Sequence, residues 1–268
     1  MCGGAFNFLS FALFVILMSA GPSSTNGIHC RSVDSTLSKY FSRPNHDQGC
    51  VVIGFGSLLS ESSARSTFPN LRDFRPVRIE GYRRVFTHPT AIFFERGIAD
   101  LPSKRMASLS IEKAPGHSFS GCAFIIDSNE DPESLLEREE EFGFEIVDFI
   151  SLESGSNDRG EGIICTSSSD EVFFQRWGEE RFKTRYGPHG ITSIWNDWNV
   201  PDSGILPCSV YLRHVYLAAQ KAGDHMLDSL LDETYLVDRT TTVRQYVDAN
   251  PEVLSTPPPQ SLVGRYSG

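Results

Sequence analysis

Short apolar runs punctuate the first two-thirds of this chain, at Cys50–Phe55, Tyr82–Thr87, Ala107–Ile111, Gly121–Asp127, Ile146–Leu152 and Gly162–Thr166. Glycine, proline and serine separate them, and each is too short to bury a helical face, so they read as strands. Helical signals lie between and after them. "DPESLLEREEEFG" opens with Asp131 as N-cap and Pro132 at the first helical position, and Gly143 can close it. Asp170 to Tyr186 spaces apolar residues among charges like a surface helix, and the last third is strongly helical, with "PCSVYLRHVYLAAQKAG", a helix opened by Asp224, and a final one from Thr240 to Asn250. Strands early and helices late predict an α+β fold: a small, strongly curved or closed β-barrel with helices packed around it. A hydrophobic fraction of 40% with 19 phenylalanines is ample for that core.

The ends read differently. The first thirty residues carry no Asp, Glu, Lys or Arg, and Phe6 to Met18 is an apolar run of signal-peptide length followed by Ser19-Ala20-Gly21. It is too short for a comfortable membrane span. Residues 1–21 are therefore expected to be a targeting leader, for the secretory route or the exterior, with a plastid leader as the alternative. Residues 22–48 have turn composition and read as a linker, 49–250 as the folded domain, and the proline-rich 251–268 as a disordered tail.

Composition narrows the chemistry. A formal net charge of -10 leaves no excess of cations for phosphates, which argues against a nucleic-acid partner. The six cysteines, Cys2, Cys30, Cys50, Cys122, Cys165 and Cys208, contain no CxxC pair, and the seven histidines form no ligand pair, so no metal is expected. His214, between Tyr211 and Tyr216, reads as structural, and so does the pair Arg83-Arg84. Ser57 has the leader and its place after a strand in favour of an esterase, but it lacks the G-x-S-x-G frame of a nucleophile elbow.

The acidic run Glu137, Glu139, Glu140, Glu141 remains. On a helix, Glu140 lies four residues after Leu136 and Glu139 four after Leu135, so carboxylates share a face with apolar residues that point inward. A carboxylate at a core edge, near like charges, has its pKa raised and becomes a stronger base.

Taken in order, "VIGFGSLL", "GYRRVF", "GCAFIID" and "LEREEEFGF" resemble the γ-glutamylcyclotransferase superfamily, including its ChaC and AIG2-like branches, over roughly Val51 to Phe144. The resemblance implies a backbone cradle for the γ-glutamyl group at Phe55, Gly56, Ser57 and Leu58, with Glu140 as catalytic acid/base. The implied reaction cyclises the γ-glutamyl group of glutathione, a γ-glutamyl amino acid or a γ-glutamyl amine to 5-oxoproline, with glutathione or its relatives favoured. It needs no cofactor and no partner beyond that small molecule. Phe55 and Phe144 stand where the family usually carries tyrosines, and Glu137 where it carries aspartate. Those departures keep open an alternative on the same scaffold, a non-catalytic γ-glutamyl-binding or regulatory module.

Overall fold

The computed structural model describes residues 34–43, 49–127, 132–153 and 158–268; the leader reading falls outside them. In chain order the elements are α1 (Ser35–Phe41), β1 (Cys50–Gly54), α2 (Glu61–Arg65), β2 (Arg72–Pro89), α3 (Ala91–Glu95), β3 (Arg105–Ile126), α4 (Pro132–Arg138), β4 (Gly143–Ser151) and β5 (Arg159–Thr166). There follow α5 (Asp170–Trp177), α6 (Glu179–Arg185), β6 (Leu206–Pro207), α7 (Ser209–Ala222), α8 (Asp224–Asp232), β7 (Thr234–Tyr235) and α9 (Val243–Ala249).

The sheet closes. β3 pairs antiparallel with β1, β1 parallel with β5, β5 antiparallel with β4, and β4 returns to β2 through Val77↔Ser151 and Arg78↔Ile150. β2 completes the ring against β3. The result is a mixed barrel, with β6 and β7 added in parallel on β3 and β2. The β2–β3 hairpin can take part twice because its register shifts at Arg72/Arg75, Glu80/Tyr82 and Phe86/His88. Each irregularity adds twist and bends the strands. Sequence runs that read as separate strands, Ala107–Ile111 and Gly121–Asp127, therefore belong to the single strand β3.

Helices pack around this barrel, as expected of the α+β class. The guanidinium of Arg84, fully buried, braces one of them: it donates to Ser120 O at 3.1 Å and to Ser229 Oγ of α8 at 2.9 Å, and lies over the Phe119 ring at 5.0 Å. The expected helix from Asp170 to Tyr186 is two, α5 and α6, divided at Gly178.

Two boundaries need correction. Part of the expected 22–48 linker is α1, capped by Asp34, whose carboxylate accepts from the amide of Thr36 at 2.8 Å. Leu37 and Tyr40 on α1 are buried in the core, and Arg176 of α5 pairs with Asp34 at 2.8 Å. The expected disordered tail, 251–268, is likewise packed: 3-10 turns form at Pro251–Ser255 and Gln260–Leu262, and Val253 and Tyr266 are buried. Short segments such as these take their stability from the faces they cover rather than from their own periodicity.

Candidate active site

At the end of β1 the chain turns through Phe55 and Gly56 into a 3-10 turn, Ser57–Leu59. The turn is closed by Leu59 N–H donating to Gly56 O at 3.0 Å and Ser60 N–H to Ser57 O at 3.3 Å. Cys122 Sγ donates to Leu58 O at 3.0 Å and holds the turn to β3. Glycine is required by close approach. A Cβ at Gly54 would lie 2.6 Å from the Leu58 Cβ, and one at Gly56 would collide with the Tyr211 hydroxyl. The Tyr211 hydroxyl and the His214 ring, both on α7, lie against the Ser57 main chain.

This loop forms one wall of a cavity that encloses, with its open mouth, about 730 Å³ of space free of protein atoms. Phe55, Gly56, Ser57 and Leu58 all line it. The start of α3, Ser108 and Leu109 of β3, α7, and Arg265 and Tyr266 of the C-terminal segment supply the other walls. The acidic turn after α4 contributes Arg138, Glu139, Glu141 and Phe142.

Glu140 is absent from that lining. Its carboxylate, only 3% exposed, accepts from Arg181 Nε at 2.8 Å and from Arg185 Nη1, and its carbonyl accepts from Trp177 Nε1 at 3.0 Å. Burial, then the neighbouring Glu141 carboxylate, push the Glu140 carboxyl up to about 7 although Arg185 and Arg181 pull the other way. Glu140 thus does not face the loop; of the acidic run, Glu139 and Glu141 line the cavity. The reason is local. α4 ends at Arg138; Glu139 N–H still reaches Leu135 O at 3.0 Å, but the next turn closes by Phe142 N–H to Glu139 O at 3.1 Å, and Gly143 already pairs with Thr166 in β4. Helical spacing holds for Glu139 and no longer for Glu140. The Leu135-x-x-x-Glu139 spacing in the sequence carried the right signal.

Arg138 locks Glu139 to the loop. Its Nε donates to Glu139 Oε1 at 2.9 Å, while its Nη atoms donate to Ser57 Oγ at 3.2 Å, Ser63 Oγ at 3.2 Å and Thr67 Oγ1 at 2.5 Å. Burial raises the Glu139 carboxyl above the ordinary glutamate value, against the pull of Arg138. Its side chain stays 15% exposed, open to a ligand. Glu141 also lines the cavity, but one of its oxygens already accepts from Thr90 Oγ1 at 2.6 Å, Tyr186 Oη at 2.6 Å and the Ala91 amide at 3.2 Å.

The remaining groups are poor proton acceptors. Burial pushes the Cys165 thiol well above its ordinary range and holds it neutral. Burial also pushes His214 down to about 4, and its Nδ1 accepts from the Gly268 amide at 3.2 Å. Ser57 Oγ meets Arg138 and no base, so no nucleophile–base pair forms. Neither Phe144, which lies under Arg176 at 5.8 Å, nor Arg83-Arg84 lines the cavity. Among the described residues no cluster suited to a metal occurs and no helix is long and apolar enough to cross a membrane. Sequence reading missed Arg138, Tyr211, His214, Arg265 and Tyr266; only Arg138, beside the acidic run, carried a local signal.

No family model and no curated protein sequence matches the chain. Solved structures do. An uncharacterized protein from Homo sapiens is 12% identical, over 65% of this chain and 80% of its own, with a TM-score of 0.41. A γ-glutamyl cyclotransferase is 13% identical over 55% of this chain and 89% of its own, TM-score 0.36. One from yeast, described as specific to glutathione, is 15% identical over 74% and 96%, TM-score 0.36.

Proposed function

We propose that this chain is a γ-glutamylcyclotransferase-type enzyme with Glu139 as general acid/base. One observation carries the reading: the carboxylate of Glu139, held by Arg138, lines the same cavity as the glycine-containing loop Gly54–Leu58. The loop main chain receives the α-carboxylate of the γ-glutamyl group, where Gly56 permits close approach. The α-ammonium sits at Glu139, which takes its proton; a pKa raised by burial makes it the stronger base. The freed amine attacks the γ-carbonyl, protonated Glu139 gives its proton to the departing nitrogen as the γ-amide C–N bond breaks, and the second proton shed by the attacking nitrogen as the 5-oxoproline ring forms leaves with the amine as its ammonium. Holding the glutamyl chain in its folded conformer supplies proximity.

The second reading, a γ-glutamyl-binding module without turnover, draws on the Arg138–Glu139 bond, which keeps a proton acceptor occupied. A 5-oxoproline assay on the purified protein with glutathione, a γ-glutamyl amino acid and a γ-glutamyl amine decides between them. Product from any of the three, lost in Glu139→Gln, supports the enzyme; calorimetric binding without product supports the module. The leader reading places the protein in the secretory route, with a plastid as the alternative. N-terminal sequencing of protein from its source tests it, with a mature end near Ala20 expected.

A further inference from the structure

One histidine ties the loop after β1 to the C-terminal segment. His214 of α7 is 1% exposed and lines the cavity. Its Nδ1 accepts from the Gly268 amide at 3.2 Å, so the single proton of the neutral ring is on Nε2. A hydrogen bond with the Ser57 main chain pulls the His214 pKa upward, against the larger effect of burial. Only an acceptor does that to a histidine, so the partner is the Ser57 carbonyl and the donor is Nε2. The other tautomer would set two N–H groups against each other at Gly268 and leave Nε2 with nothing to donate.

The segment that supplies the Gly268 amide is itself fixed. Tyr266 is 4% exposed; its hydroxyl accepts from Arg96 Nη1 at 2.9 Å, and its ring meets His214 edge-on at 5.5 Å. Gly268 has φ of +89°, and a Cβ there would lie 2.7 Å from the Leu217 Cβ, so glycine is what lets this amide approach α7. On the loop side, the Ser57 carbonyl also accepts from Ser60 N–H at 3.3 Å. A peptide unit is planar, so holding that carbonyl also aims the Leu58 N–H on its opposite edge.

We propose that His214 is a positioning residue: held by the C-terminal segment, it fixes the Ser57–Leu58 peptide of the loop that receives the substrate. It does not exchange a proton with the substrate, because its one N–H is spent on the backbone. Its effect on turnover rests on the cyclotransferase reading; its hold on the loop is measurable without any substrate.

The test therefore reads the ring and the reaction separately. Nitrogen–proton NMR of the full chain should show His214 as the Nε2–H tautomer. Gly268→Pro, which deletes the donating amide, should shift the ring nitrogens and the Leu58 amide together. His214→Phe keeps a ring and removes both bonds, and should shift the Leu58 amide further. Turnover is measured with glutathione, γ-glutamylalanine and γ-glutamylethylamide. On whichever is cyclised, His214→Phe should raise KM about 10-fold with kcat within about threefold, and His214→Gln, which keeps a donor, should recover part of it. Gly268→Pro should do less in the same direction, and the double variant should be no worse than His214→Phe alone, since both act through one link. A proton on Nδ1, a Leu58 amide unmoved in both variants, or a lowered melting temperature with KM unchanged overturns the inference. Gly268→Pro keeps it testable if His214→Phe does not fold. The expected spectra without 5-oxoproline from any of the three compounds sink the enzymatic reading and leave the hold of His214 on the loop standing.

Discussion

Glu139 and Glu140 are consecutive carboxylates with opposite surroundings. Glu139 looks into the cavity beside the Gly54–Leu58 loop, held by one arginine and open to a ligand. Glu140 is closed in by Arg181, Arg185 and Trp177. Burial raises both pKa values, yet only Glu139 of the two lines the cavity. A perturbed pKa therefore does not identify a catalytic group; the perturbed group must also face the place where the reacting atoms sit.

The most severe way to break this contrast is to exchange each carboxylate for its amide. Glu139→Gln should lower kcat/KM for 5-oxoproline formation by about 10²–10⁴-fold with an unchanged circular dichroism spectrum. Glu140→Gln should stay within about tenfold of the parent protein, since its carboxylate touches arginines rather than the cavity. The reverse ranking would put the base on the wrong side of the turn.

The cavity side can be sharpened through the loop. Gly56→Ala should cost about 10- to 100-fold in kcat/KM, as a Cβ there meets the Tyr211 hydroxyl and overpacking costs ~1–3 kcal/mol. Adding Tyr211→Phe removes the obstructing oxygen and should restore part of the loss. Absence of rescue would show that Gly56 acts through backbone freedom rather than through room.

The arginine side is read through pH. The Glu140 carboxyl is raised from 4.5 to about 7, so the folded state holds the extra proton across that window while the unfolded chain has lost it. Stability contributed by this group is complete below about 4.5 and is lost as the pH rises through about 7. Urea unfolding at both ends of the window should show a decline on the order of 1 kcal/mol, and Glu140→Gln should flatten it. A slope unaltered by that substitution would mean the arginines keep the carboxylate ionised throughout.

The smallest effect belongs to Ser57→Ala. Its hydroxyl accepts one 3.2 Å bond from an arginine with several others, so turnover should change by no more than about threefold. A loss matching that of Glu139→Gln would make Ser57 itself a reacting group.

Much of this molecule was legible in its residues. Apolar runs at Cys50–Phe55, Ile146–Leu152 and Gly162–Thr166 fall on β1, β4 and β5, because alternation and turn residues act over a few positions and need no distant partner. The run into Gly56-Ser57 likewise marked the loop that walls the cavity. What failed were inferences extended past the reach of a local pattern. Periodicity through Leu135 and Leu136 placed carboxylates inward, but where α4 stops is set by the pairing of Gly143 with Thr166, a contact made by another strand. That one boundary decides that Glu139, and not Glu140, faces the cavity.

Both segments read as unstructured show the same division. Residues 22–48, which include α1, and 251–268 read from their composition as turn-rich and proline-rich, and neither composition can form an independent core. Whether they order depends on the surface presented to Leu37, Tyr40, Val253 and Tyr266, all of which are buried. Sequence by itself determined the α+β class, the strands and the loop, because those rest on local backbone preference and alternating burial. The tertiary structure alone decided the closure of the barrel, the facing of Glu139 rather than Glu140 into the cavity, and the place of the C-terminal segment in its wall, because each depends on contacts between residues far apart in the chain.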